Sequence, residues 1–167
     1  MIMEQDLANR SLDIHWPDDF SPDQADYFTH NELHIDAPRE KVWQQFIAAT
    51  KWPEWFVLVK QVDIISGGDE LREGAVFHWR TTFPVIAEAT VHEFVPYSRI
   101  GWYGNAPGAE PTFYHAWYFA PDGQGCRAIY DEAGKGMVAT QLRERDEGKG
   151  HRDHDLMLAS LKWASER

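Results

Sequence analysis

The chain has 167 residues, enough for one domain with its own core and few for two. Hydrophobic residues make up 43% and charged residues 26%, which is typical of globular proteins. The formal net charge of -11 argues against nucleic acid and anionic membrane surfaces as partners, because both repel an acidic protein. Cys126 is the one cysteine, so an internal disulfide and a zinc site built on cysteines are excluded.

Targeting signals are not evident in the sequence. No apolar run approaches the roughly 20 residues that a membrane helix needs. The segment Met1–Arg10 carries Glu4 and Asp6 where a secretory signal has its apolar region. We therefore expect a cytoplasmic protein with no membrane insertion.

The first 26 residues read as an N-terminal arm outside the main domain. Pro17, Pro22 and several acidic residues interrupt any periodic pattern, so we expect this arm to be irregular. Trp16 and Phe20 could attach it to the domain, which we place at residues 27–167.

The domain begins with a strand and a helix. Residues Tyr27–Ile35 show a weak alternation that predicts a strand. Pro38 and Glu40 then indicate a helix start, and Val42 and Phe46 fall on one face of that helix. Pro53 is expected to end it.

Six further strand patterns follow, separated by Gly- and Pro-containing turns and with no gap long enough for a helix. This spacing predicts an antiparallel meander. The predicted strands are Val57–Ile65, Ala75–Thr82 (ending at Pro84), Val85–Val95, Arg99–Tyr103, Phe113–Phe119 and Cys126–Glu132.

The C-terminal part of the chain is predicted to be helical. Met137–Glu147 forms a first piece, interrupted near Gly148, and His151–Glu166 forms a long helix that is apolar over much of its circumference. The expected fold class is α+β, with a curved antiparallel sheet of about six or seven strands around this last helix and a small helix after the first strand.

Several local strings follow one another along these elements: IDAPREKVWQQF, WPEWF, GAVFHWRTT, VHEFVPYSRIGW, HAWYFAP, GCRAIYDEAGKG and HDLMLASLKWASE. These strings and the order of the elements resemble the START/polyketide-cyclase-like superfamily (SRPBCC), which includes the birch-pollen-allergen fold. The resemblance covers about Tyr27 to Glu166. It implies a helix-grip fold with a cavity for a small hydrophobic ligand, but no single activity. Members include polyketide aromatase/cyclases, lipid and hormone binders and co-chaperones.

Strand alternation selects candidate site residues. We expect Tyr130 and Glu132 to point inward from the last strand, and Phe77 and Trp79 from an earlier one. If His115 also points inward, Glu132 and His115 are polar groups in an aromatic chamber. They could pair for proton transfer or form a structural hydrogen bond at a strand end, or Glu132 could lie at the cavity rim and face water.

Two principal functions and a weaker third remain open at this point. The first is binding of a small hydrophobic or aromatic molecule. The second is a cyclase/dehydratase-type enzyme that uses Glu132 or His115 as general acid or base. The third is a co-chaperone-like interaction module. The expected ligand-binding residues are Phe77, Trp79, Tyr103, Trp117 and Tyr130.

No cofactor and no metal site are expected. His151, His154 and Asp155 stand at i, i+3 and i+4 on a helix, a spacing that could serve zinc. The surrounding stretch is so highly charged that a solvated helix face explains these residues better. The oligomeric state is left open.

Overall fold

The computed structural model of the protein describes residues 1–82 and 86–167. Within these ranges the chain forms a seven-stranded sheet and four α-helices. The strands are Tyr27–Ile35 (β1), Val59–Ile64 (β2), Val76–Thr81 (β3), Ile86–Val95 (β4), Arg99–Asn105 (β5), Phe113–Asp122 (β6) and Gly125–Gly134 (β7). The helices are Ile2–Asn9 (α1), Arg39–Ile47 (α2), Met137–Arg145 (α3) and Lys149–Ser165 (α4).

The sheet is antiparallel throughout, in the order β1-β7-β6-β5-β4-β3-β2. Strands β2 to β7 follow one another as the predicted meander, and β1 adds to the sheet beside β7. The α+β helix-grip architecture expected from the sequence is confirmed. The predicted turn at Pro84 and the start of the fourth strand at Val85 lie outside the described residues.

The main core fills the space between the inner face of the sheet, α2 and α4. Aromatic side chains dominate it: the Phe46 ring lies 4.5 Å from the Trp117 ring and 5.3 Å from that of Phe119, measured between centroids. This packing holds β6 and α2 rigidly against each other, which fixes the position of the strand that contributes to the cavity.

Helix α2 ends earlier than expected. It stops at Ile47, and Pro53 lies inside the following 3-10 helix, Ala49–Glu54. The carbonyl oxygens at the end of α2 find other donors: the Trp52 indole N–H donates to Phe46 O at 2.8 Å, and the Leu71 N–H donates to Ile47 O at 2.8 Å. Because these groups satisfy the helix end, no proline is needed to stop it.

The arm is not irregular throughout, because it contains α1 and two short 3-10 helices. The sequence of α1 shows no apolar periodicity, because the buried contact of this helix is polar. Asp6 is 5% exposed, and its carboxylate lies 3.0 Å from His151 Nδ1. Phe20 and Trp16 do attach the arm, packing on Tyr114 at the outer face of the sheet.

No helix in residues 1–82 or 86–167 is both long and apolar enough to cross a membrane.

Candidate binding site at the inner face of the sheet

A cavity of about 500 Å³ lies between the inner face of the sheet and helices α3 and α4. Most of its wall is apolar, and aromatic rings form a large part of it. The main apolar lining residues are Tyr27, Phe56, Leu58, Trp79, Tyr130 and Met157. A cavity of this size and composition is suited to a small, largely apolar molecule.

The cavity ends in a cluster of three buried polar side chains. Glu132 projects inward from β7, His115 from the neighbouring position on β6, and His154 from α4. One Glu132 carboxylate oxygen, Oε2, lies 2.7 Å from His154 Nε2 and 3.7 Å from His115 Nδ1. All three residues are less than 10% exposed.

Each imidazole is held by a second polar group. His154 Nδ1 lies 3.0 Å from the Thr29 hydroxyl, and His115 Nδ1 lies 2.8 Å from the Tyr130 hydroxyl. The rings are also stacked, with Tyr130 3.8 Å from His154 between centroids. These contacts fix the orientation of both imidazoles toward Glu132.

Burial has the largest effect on the protonation of this cluster. It lowers the pKa of His115, so this imidazole is neutral at pH 7, and it raises the pKa of Tyr130 well above its usual value. Burial alone would also raise the pKa of Glu132. The opposing effects of His115 and of the hydrogen bond from His154 are larger, so the pKa of Glu132 lies below its usual value.

The ionised Glu132 can only accept hydrogen bonds, so the short contact requires that His154 Nε2–H donates. The protonated Tyr130 hydroxyl can donate to Nδ1 of neutral His115. A molecule bound in the cavity would therefore meet an anionic hydrogen-bond acceptor beside two imidazoles. Such groups are the ones used in general acid–base catalysis.

The mouth of the cavity carries charged groups from the last two helices. Lys149 pairs with Asp153 at 2.5 Å. No carboxylate in the described ranges lies within ion-pair distance of the exposed Arg145, which also lines the mouth. Gly150 faces the Tyr27 hydroxyl so closely that no Cβ would fit there without a shift of the ring.

The structure brings four of the seven expected site residues to the cavity. Trp79, His115, Tyr130 and Glu132 line it. Phe77 and Trp117 point to the same side of the sheet but are buried in the core, where Trp117 stacks beneath Tyr130 at 4.0 Å. They can support the cavity wall without touching its contents.

Tyr103 does not line the cavity. It points to the outer face of the sheet, where it packs against Phe20 and Tyr114. The expectation rested on its place beside the loop after β5, but neighbouring residues of a strand face opposite sides, and Trp102 holds the inner position.

His154 is the residue of the polar cluster that the sequence reasoning did not place in the site. The sequence grouped it with His151 and Asp155, but His151 contacts Asp6 and Asp155 accepts from Asn31. His154 instead lies on the apolar stripe of α4 with Met157 and Leu161. A histidine on a buried helix face was the available signal, and its partner Glu132 could be identified only in the folded chain.

Comparison with known proteins places the chain in a family. Residues 29–151 match the family model of polyketide cyclase/dehydrase and lipid transport proteins. No curated protein matches the chain.

Several solved structures share its fold. A hypothetical protein from Helicobacter pylori is 25% identical, with a TM-score of 0.82 over 94% of this chain and 98% of that one. A Nitrosomonas europaea protein is 17% identical, with a TM-score of 0.65 over 83% and 93%. The di-domain ARO/CYC BexL of the BE-7585A biosynthetic pathway is 20% identical, with a TM-score of 0.63 over 84% of this chain and 50% of BexL. The chain thus belongs to the polyketide cyclase/dehydrase and lipid transport family.

Proposed function

We propose that the protein binds a small, largely apolar and planar molecule in the cavity, with one polar group of that molecule directed at Glu132. The observation that carries this proposal is an aromatic cavity that ends in three buried, hydrogen-bonded polar side chains. Apolar walls with a few converging polar groups are the usual form of a small-molecule site.

The walls favour a flat ligand. The volume of about 500 Å³ falls in the range of small-molecule pockets. Trp79 and Tyr130 present rings to it. Aromatic faces contribute most when they contact another planar group, because ring pairs add to the free energy of area burial.

The polar end favours a hydrogen-bond donor on the ligand. An ionised Glu132 accepts hydrogen bonds, so a phenol or enol hydroxyl would fit beside it. At the other end, the exposed guanidinium of Arg145 suits an anionic group at the mouth.

A fluorescent probe tests the proposal. Anilinonaphthalene sulfonate is aromatic and anionic, and we expect it to bind the folded protein with one site per chain. Trp79→Ala should weaken this binding roughly tenfold, because loss of an aromatic wall costs about 1.4 kcal/mol or more. Native mass spectrometry of the purified protein should in parallel reveal any co-purified small molecule.

Trp163→Ala is the matched control, since Trp163 is 52% exposed on α4 and stacks on Arg167 outside the cavity. It should leave the affinity for the probe unchanged. Equal affinities for wild type, Trp79→Ala and Trp163→Ala would contradict binding in this cavity.

A second candidate function is catalysis of the cyclase/dehydratase type. The observation in its favour is that Glu132, the potential base, lies within 3.7 Å of two imidazoles that can donate hydrogen bonds. Glu132 would remove a proton next to a carbonyl group, the enolate would add to a second carbonyl, and Glu132 would return the proton to the alkoxide formed there. Imidazole N–H groups of His115 and His154 would stabilise the oxygen anions by hydrogen bonding. With a polyketide-like substrate, Glu132→Gln should abolish turnover and preserve binding; full turnover in this variant would refute the mechanism.

A further inference from the structure

We infer that Glu132, His115 and His154 form a binding site for a divalent transition-metal ion at the inner end of the cavity. One potential ligand atom from each residue lies within 4.8 Å of the other two. Two imidazoles and one carboxylate are the protein ligands of many catalytic zinc sites and of non-haem iron sites. No other such group occurs among residues 1–82 and 86–167.

The separations of the donor atoms fit a metal after small shifts. A zinc ion about 2.0 to 2.2 Å from each donor in tetrahedral geometry holds neighbouring donors roughly 3.3 to 3.6 Å apart. Glu132 Oε2 lies 3.7 Å from His115 Nδ1, close to this range, and 2.7 Å from His154 Nε2, closer than this range. The Glu132 and His154 side chains must therefore rotate apart when an ion binds.

The contacts around the cluster favour the required protonation states. If His154 Nδ1–H donates to the Thr29 hydroxyl at 3.0 Å, the Nε2 lone pair is directed to the metal. The Tyr130 hydroxyl lies 2.8 Å from His115 Nδ1 and can donate to it, so this nitrogen can present a lone pair. The ion would replace the proton between His154 and Glu132 and would take the place of the Tyr130 hydroxyl at His115 Nδ1.

The three residues leave at least one coordination position open. They come from two strands and one helix on one end of the cavity, and the cavity lies in front of them. A site with three protein ligands and an accessible fourth position is the catalytic form of zinc coordination, because structural sites are closed by four. An oxygen atom of a bound molecule could reach that position.

A second group of imidazole and carboxylate side chains fits a metal ion less well than the Glu132 cluster does. On the other face of β7, His30 Nδ1 lies 2.6 Å from Asp131, and Glu32 lies 3.7 Å from His30. Asp131 is fully buried, and the pocket beside this group is lined by His30 and Glu32 but not by Asp131. The group offers one imidazole, and in the described ranges its ligand atoms do not form a metal-binding cluster of three.

The metal site goes beyond the proposed small-molecule binding and does not depend on it. The donor geometry alone carries it. The two can therefore fail separately, and the experiment measures both.

Metal content tests the inference. The full chain, treated with a chelator and then with excess Zn²⁺ or Co²⁺ and separated from free metal, should retain about one ion per chain by elemental analysis. The Co²⁺ form should show visible ligand-field absorption of a site with nitrogen and oxygen ligands. Zn²⁺ should also raise the thermal midpoint of unfolding, because a ligand of the folded state stabilises it.

Variants locate the ion. Glu132→Gln and His154→Gln should each weaken Zn²⁺ binding at least roughly tenfold and remove the thermal shift. His78→Gln is the matched control, because it removes an imidazole that contacts a carboxylate, Glu88, at 2.8 Å on β3 and β4 outside the cluster. It should bind Zn²⁺ like wild type.

Two results would overturn the metal site. One is a wild-type chain that retains far less than one ion and gives no Co²⁺ absorption, an outcome that needs no variant to fold. The other is unchanged Zn²⁺ affinity in Glu132→Gln and His154→Gln. Anilinonaphthalene sulfonate is titrated into the chelator-treated chain in the same series, so probe binding without metal binding rejects the metal site alone, and the reverse rejects the small-molecule site alone.

Discussion

Two neighbouring residues of β7, Asp131 and Glu132, are both buried carboxylates paired with histidine, but they occupy opposite faces of the sheet. Asp131 points outward and contacts His30 at 2.6 Å. Glu132 points inward and contacts His154 at 2.7 Å with His115 nearby. The chemical groups are the same, so the difference between them arises from their surroundings.

The surroundings shift the pKa values of the two carboxyl groups in opposite directions. Burial raises the pKa of Asp131, and the hydrogen bond from His30 only partly offsets it. Burial alone would also raise the pKa of Glu132, but the effects of His115 and His154 together are larger and lower this pKa. Asp131 contacts a single imidazole and is fully buried, whereas Glu132 lies near two imidazoles and lines the cavity. We infer that the Asp131 pair is structural and the Glu132 cluster is available for binding.

The largest expected effect tests this division directly. Asp131→Ala should lower the free energy of unfolding by about 3 kcal/mol, because it leaves His30 buried without its partner. Glu132→Ala should cost less, about 1 kcal/mol, since water from the cavity can hydrate the two imidazoles. Urea denaturation of both variants measures the difference.

His78→Ala serves as a reference, because His78 and Glu88 form a partly exposed pair on the outer side of β3 and β4. Such a pair contributes little to stability. If Glu132→Ala proved as costly as Asp131→Ala, the Glu132 cluster would be structural as well, and its proposed role in binding would lose its basis.

A smaller effect on stability is expected from a substitution at the mouth of the cavity. Gly150→Ala places a methyl group against the Tyr27 hydroxyl and 2.9 Å from its Cζ atom. The ring must move, which should cost about 1 to 3 kcal/mol, offset by up to about 1 kcal/mol from the better helix propensity of Ala. Anilinonaphthalene sulfonate should bind more weakly, because Tyr27 lines the cavity and its ring has to move.

The double variant Tyr27→Phe/Gly150→Ala separates this clash from other causes. Removal of the hydroxyl relieves most of the overlap, so the double variant should recover stability and probe binding relative to Gly150→Ala. Failure to recover either property would show that Gly150 is needed for a reason other than the approach of Tyr27.

The sequence predicted the strands that carry this site better than it predicted which side chains lie in the site. Alternation along β7 placed Tyr130 and Glu132 on the inner face, because one of its two faces is consistently apolar. The expectation that Tyr103 lines the cavity rested on its place beside the loop after β5. It was wrong, because Tyr103 points to the outer face, where Phe20 of the arm covers it. The shape of a covered outer face is a tertiary feature that strand periodicity cannot reveal.

His154 and α1 escaped prediction for a related reason. Both make their buried contacts through polar atoms, Glu132 with His154 and Asp6 with His151. Sequence patterns detect apolar stripes, so a polar residue on a buried face reads as solvated until its distant partner is known. The pairing spans 22 residues in one case and 145 in the other.

The smallest expected effect is the pH dependence of the two acids, and its sign distinguishes them. The lowered pKa of Glu132 contributes stability that is present above the unfolded pKa of about 4.3 and is lost as the pH falls through the folded value. The advantage of wild type over Glu132→Gln should therefore shrink on acidification. The raised pKa of Asp131 acts in the opposite sense, because its cost is relieved as the pH falls through the folded value.

His30 reinforces the contrast. Burial lowers its pKa, but Asp131 outweighs burial and the pKa lies above its usual value. Its contribution is fully present below about pH 6.5 and is lost as the pH rises through the folded pKa. Between about pH 7 and pH 3, wild type should thus gain on Asp131→Asn, while its lead over Glu132→Gln should fall once the pH drops below about 4.3. Urea midpoints across this range measure both trends, and parallel trends would show that the two faces of β7 impose the same environment on their carboxylates.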